Sequence, residues 1–197
     1  MTVITLVPDT NVFIQCKVLN ELPWEEEFDA FDTVTLVVTR ALQKEIDHQK
    51  NRGNDRVGRR ARKAATLFKG MIVENMEHVV REENPRVTLV MRADIKPDEE
   101  RRSELDMTEP DDQIVACGCT LASQEADSDV RLLTHDSGPM ATAQLVGLPF
   151  YPVPDHWLSP PEPSPSEKKV HALEQEVKRL KQDEPVVTVH CLDAQGN

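Results

Sequence analysis

The chain has 197 residues, enough for one domain of ordinary size plus an appendage, and with 39% hydrophobic and 29% charged residues it has a globular composition. Its formal net charge of -12 argues against a general nucleic-acid binder, which carries a basic surplus. No run is long and apolar enough to span a bilayer, and the N-terminal apolar stretch is short, lacks a basic start and meets Asp9, so no signal peptide and no membrane partner are expected.

In chain order, residues 2–7 (TVITLV) are β-branched and apolar on both faces, which predicts a buried strand of a parallel sheet. A helix is predicted over 11–22, a second buried strand over 33–39, and a helix over 40–50, with Leu42 and Ile46 on one face and Glu45 beside them. A long polar helix follows from about 55 to 75, then a third strand over 86–91 and a charged loop over 92–110. Pro110 suits a first helical turn and opens a helix running through IVACGCTLA. A fourth strand over 130–134, a helix over 139–146 and a candidate fifth strand in PFYPV complete the pattern. Strands alternating with helices predict an α/β fold: three α/β/α layers around a central, mostly parallel sheet of four or five strands. The expected division is a nuclease-sized domain over 1–158, a Pro/Ser-rich linker over 159–166, a short helix over 167–183 and a strand-like tail over 184–197. Val170, Leu173, Val177 and Leu180 give that helix a two-heptad seam, through which a homodimer or a further domain is the expected contact. The tail reads as the start of a further domain of a longer protein, and no internal repeat is visible. Cys16, Cys117, Cys119 and Cys191 form no CxxC pair and match no zinc spacing, so a reduced, cytoplasmic chain is expected.

The acids are spaced in a pattern. Asp9 follows the first strand, Glu45 lies on the helix after the second, Asp111 and Asp112 open a helix, and Asp136 follows the fourth strand. In a parallel sheet these positions share one edge, where sites form. Each acid alone has an ordinary explanation: Asp9 as a helix N-cap, Asp111 and Asp112 as dipole partners, Asp136 as a turn residue, Glu45 as a solvated helix position. As an ordered set they predict one acidic pocket. Carboxylates crowded there raise one another's pKa, and a hard divalent cation such as Mg2+ or Mn2+ relieves them.

The stretches VPDTNVFI, TRALQKEID, EPDDQIVACG and LLTHDSGPMATAQLVGLP, in this order, resemble the motifs of the PIN domain nucleases, a family that includes toxin ribonucleases and RNA-decay endonucleases and is related to flap nucleases. The resemblance spans about residues 1–155. It implies Asp9, Glu45, Asp111 and Asp136 as metal-binding catalytic acids, with Asp112 as the alternative to Asp111. Thr10, Asn11 and Thr134 are implied as supports. The implied activity is metal-dependent hydrolysis of phosphodiester bonds in single-stranded RNA, leaving a 5′-phosphate and a 3′-hydroxyl. A catalytically silent PIN-like scaffold binding nucleic acid or protein, and a nuclease acting on single-stranded or flap DNA, are the competing readings.

Residues 50–69 hold eight Lys or Arg and one acid, a local charge of +7 that leaves -19 on the rest of the chain. Arg52, Arg56, Arg59, Arg60 and Lys63 are the expected contacts to RNA phosphates, against the plainer reading of a solvated helix face. Trp24 and Trp157 are expected in the core, and His48 and His78 at the surface.

Overall fold

The apolar runs form the sheet. In the computed structural model, residues 2–53, 55–160 and 165–182 are described, with the backbone alone for 165–168 and 182. The chain divides into two compact units, 1–159 and 160–197.

The first unit runs β1 (Val3–Pro8), α1 (Thr10–Ile14), α2 (Trp24–Glu27), β2 (Thr33–Thr39), α3 (Arg40–Gln49), α4 (Arg56–Glu74), β3 (Glu77–Arg81), β4 (Arg86–Arg92), α5 (Glu99–Glu104), α6 (Pro110–Gln124), β5 (Asp129–Thr134), α7 (Ser137–Leu145) and β6 (Phe150–Pro152). The six strands lie in the order β3-β4-β2-β1-β5-β6. All neighbours are parallel except β3, which runs antiparallel to β4. Crossovers carry β1 to β2 to β4 in one direction, and the chain then returns over the sheet to β5 and β6. The direction therefore reverses between β1 and β5, so their carboxyl ends flank the topological switch point. This is the mostly parallel α/β/α architecture of a PIN-like fold.

Ile4, Leu6, Val34, Leu36, Val38, Val87, Leu89 and Leu132 are fully buried, as expected of strands covered on both faces. Trp24 and Trp157 are also buried, meeting edge-on with ring centroids 4.8 Å apart, and the Trp24 indole N–H donates to the Leu19 carbonyl at 2.7 Å.

Three local expectations are corrected. The sheet has six strands rather than four or five. The extra strand, β3, lies at the sheet edge and buries none of its five residues, so it lacks the apolar run that betrays a central strand. The helix expected over 11–22 ends at Ile14. Beyond it the backbone is captured by the end of the unit: Lys17 N–H donates to the Trp157 carbonyl at 2.8 Å, and Ser159 N–H to the Gln15 carbonyl at 2.8 Å. Those long-range bonds replace the helical ones. The loop over 92–110 contains α5, whose EERRSE sequence buries nothing and is started by Asp98, which accepts the Arg101 N–H at 2.8 Å.

The second unit contains α8 (Pro165–Gln182), on which Val170, Leu173, Val177 and Leu180 are each about half exposed. The strand-like tail over 184–197, and residues 161–164 of the linker, lie outside the described residues.

Candidate active site

Asp9 follows β1 at the centre of the sheet and is 2% exposed. Its first role is local: Oδ1 accepts the Val12 N–H at 3.1 Å and starts α1. Its second is tertiary. Oδ2 accepts the hydroxyl of Thr134, the last residue of the neighbouring strand β5. Thr134 Oγ1 in turn accepts the Asp136 N–H at 3.1 Å.

The next two residues of α1 reach the other acids. Thr10 donates its hydroxyl to Glu45 Oε2 on α3, and Asn11 donates its side-chain amide to Asp136 Oδ2. Asp136 is the N-cap residue of α7, but its carboxylate makes no capping bond, so it stays available to Asn11 and the pocket. Thr39 caps α3 by accepting the Leu42 N–H at 3.3 Å, which fixes the helix that carries Glu45.

Asp111 and Asp112 occupy the first turn of α6 but differ in their surroundings. Asp112 is occupied: Oδ2 accepts the Asp106 N–H at 3.0 Å and Oδ1 the Thr142 hydroxyl at 3.1 Å. Asp111 instead faces acids. Partial burial pushes its carboxyl up from the ordinary value, and Glu45, Asp136, Asp112 and Glu109 add like-charge repulsion. Burial pushes Asp9 up to about 7, with further repulsion from Asp136 and Asp111; the bonds from Thr134 and Val12 oppose the rise.

Elements from four places in the chain thus bring Asp9, Glu45, Asp111 and Asp136 to one edge of the sheet. Among the described residues, no ion pair reaches any of the four. Among the described residues, no three His, Cys, Asp or Glu side chains are grouped closely enough to hold one metal ion. The donors are nonetheless all hard oxygens around an uncompensated negative charge, a set that fits Mg2+ or Mn2+ rather than zinc. Cys16, Cys117 and Cys119 are free and buried, and burial raises all three thiols.

The basic helix is less uniform than its sequence. Arg60 is turned into the fold: its guanidinium donates to the Phe13 carbonyl at 3.3 Å, to the Cys16 carbonyl and to Ser159 Oγ at 2.8 Å. Arg56 donates to the Ser159 carbonyl at 3.2 Å, and Arg52 to Gln49 Oε1 at 3.0 Å. Arg59 and Lys63 are exposed, and Lys63 borders a cavity of about 520 Å³ whose walls include Val12, Phe13, Ala64 and Leu67. The helix does not present its cations as one open face.

A sequence profile of the PIN domain matches residues 6–150. The chain belongs to the PIN domain family. The PIN domain is in general a nuclease fold, and its nucleases generally use divalent metals. Asp9, Glu45, Asp111 and Asp136 all fall within the matched PIN region. No curated protein matches the chain. Among solved structures, a domain of a functionally unknown protein from Methanocaldococcus jannaschii DSM 2661 is similar at 19% identity, covering 81% of this chain and 96% of that one, with a TM-score of 0.44. A likeness of that size decides nothing about this PIN domain. Among the described residues, no helix is long and apolar enough to cross a membrane.

Proposed function

We propose that this PIN domain is a metal-dependent endoribonuclease that cleaves single-stranded RNA, with Asp9, Glu45, Asp111 and Asp136 as its acids. The observation that carries the reading is Asp9: a carboxyl 2% exposed, raised by burial and by neighbouring acids, with no cationic partner among the described residues. A charge in that setting is costly unless a cation compensates it.

When bound, Mg2+ or Mn2+ supplies a water of lowered pKa and offsets charge developing on the phosphate. The chain's own residues do the positioning. Thr134 fixes Asp9 and, through the Asp136 N–H, the start of α7. Thr10 holds Glu45, and Asn11 holds Asp136. Such fixed carboxylates hold the donor set in place before substrate arrives, which lowers the reorganisation needed in the transition state. Asp111 is the fourth acid in this reading, because both oxygens of Asp112 are engaged in holding the 106–112 turn and Thr142. The half-exposed stripe of α8 is the surface offered to a second copy or an adjoining domain.

The test is Mn2+-dependent cleavage of a fluorescent single-stranded RNA, beside the same sequence as DNA and as a DNA flap. Asp9→Asn and Asp136→Asn are assayed in parallel. Cleavage of RNA by the wild type alone supports the proposal. Preferential cleavage of DNA moves the assignment to a flap-type nuclease. Stabilisation by Mn2+ that Asp9→Asn abolishes, without cleavage of any substrate, favours the silent scaffold.

A further inference from the structure

A second cavity, of about 360 Å³, is bordered by residues of α3, α5 and α6 and by none of the basic helix α4. Arg40 and Lys44 of α3, Lys96, and Arg102 of α5 border it. Ile95 and Met107 give it an apolar floor, which Gln113 closes by donating its side-chain amide to the Met107 carbonyl at 2.9 Å.

The charges here behave differently from their neighbours. Lys50 pairs with Asp47, Arg92 with Asp94 and Glu125, and Arg101 with Glu104. Among the described residues, no carboxylate pairs with Arg40, Lys44, Lys96 or Arg102, although the chain carries a net charge of -12. Arg102 donates Nε to the Pro97 carbonyl at 3.0 Å, a bond that orients the guanidinium. Four like charges around one cavity repel, and an anion seated among them relieves that repulsion.

The position adds the direction. The same elements carry the cavity and the acids: Arg40 directly follows β2, Lys44 and Glu45 both lie on α3, and Gln113 and Asp111 share the first turn of α6. We infer that this cleft holds the single strand next to the scissile bond, with backbone phosphates on the four cations and a base or ribose on the Ile95 and Met107 floor. The inference rests on the nuclease reading for the identity of the strand. A cavity of this size admits a nucleotide and not a duplex, which fits a single strand. The absence of aromatic side chains from its lining points to phosphate contacts with little sequence preference.

The experiment measures anisotropy of a fluorescein-labelled 12-nucleotide RNA in EDTA, where no cleavage occurs, across a salt series. Wild type is compared with the quadruple variant Arg40→Gln, Lys44→Gln, Lys96→Gln, Arg102→Gln and with Lys44→Glu, a single change at an exposed position. The quadruple variant is expected to bind at least about tenfold more weakly, with a salt slope smaller by roughly 3, as for the loss of about four phosphate contacts at about 0.7 each. Lys44→Glu is expected to weaken binding several-fold at unchanged melting temperature, which separates charge from folding. Equal affinity and equal slope in wild type and quadruple variant overturn the cleft and leave the nuclease reading standing. Loss of binding in the variants, with a wild type that cleaves nothing in Mn2+, supports the cleft and removes the nuclease reading. A wild type that binds no single strand at all overturns the cleft, while the nuclease reading stands or falls with the cleavage assay.

Discussion

Thr134 donates its hydroxyl to Asp9 across the seam between β5 and β1, and the same oxygen accepts the Asp136 N–H at 3.1 Å. One fully buried side chain thereby couples the two acids that flank the switch point of the sheet.

Thr134→Val keeps the shape and removes both bonds. It leaves a buried carboxylate oxygen and a backbone N–H each short of a partner, a loss expected to cost about 2–3 kcal/mol in total, or roughly 5–10 °C of melting temperature. Thr134→Ser should restore most of it. A Val variant that melts with the wild type would show that these bonds contribute little.

The elevated pKa of Asp9 makes a prediction about pH. With the folded value near 7 and the ordinary value at 3.8, the native state keeps a proton that the unfolded state releases between about pH 4 and pH 7. The group's contribution is complete below about pH 4 and is lost as the pH rises through 7. In EDTA, stability of the wild type relative to Asp9→Asn should therefore fall over that window, by up to about 4 kcal/mol, and level off above it. Denaturant melts of the two proteins at a series of pH values measure the difference. Parallel curves would mean that Asp9 is not held protonated by burial.

Asp111 and Asp112 should separate cleanly. Asp111→Asn is expected to abolish Mn2+-dependent cleavage with little change in melting temperature, since no hydrogen bond depends on its carboxylate among the described residues. Asp112→Asn exchanges one acceptor for a donor at a site that binds Asp106 N–H and Thr142 Oγ1, so it should lower stability by about 1–2 kcal/mol and retain part of the activity. The reverse pattern would assign the acid to Asp112.

Arg60→Ala should destabilise the domain by about 2–3 kcal/mol, because its guanidinium ties α4 to the Phe13 and Cys16 carbonyls and to Ser159. Lys63→Ala, three residues on and exposed, should stay within about 0.5 kcal/mol. Equal effects of the two on thermal stability would show that Arg60 is a solvated cation after all.

The strands of the sheet's interior could be read directly, because burial on both faces favours apolar and β-branched runs such as TVTLVVT, which matches β2 residue for residue. Asp9 and Asp136 stand out for a related reason, since each follows closely on such a run, whereas Glu45 and Asp111 lie on helices. Edge strand β3 and helix α5 were not legible, since neither buries the side chains that would give it a period. The overlong helix beyond Ile14 has the same root, for its competitor, the 157–159 segment, lies more than 140 residues away in the chain.

By itself, the sequence determined the parallel α/β frame, the positions of the candidate acids and the basic stretch, since each is a local pattern of burial or charge. Only the tertiary structure decided which side chains those groups meet. It set Asp112 against Asp106 and Thr142, turned Arg60 inward to three backbone and side-chain acceptors, and gathered Arg40, Lys44, Lys96 and Arg102 around one cleft. Hydrogen bonds and charge clusters depend on distance in space, and a sequence orders residues only along the chain.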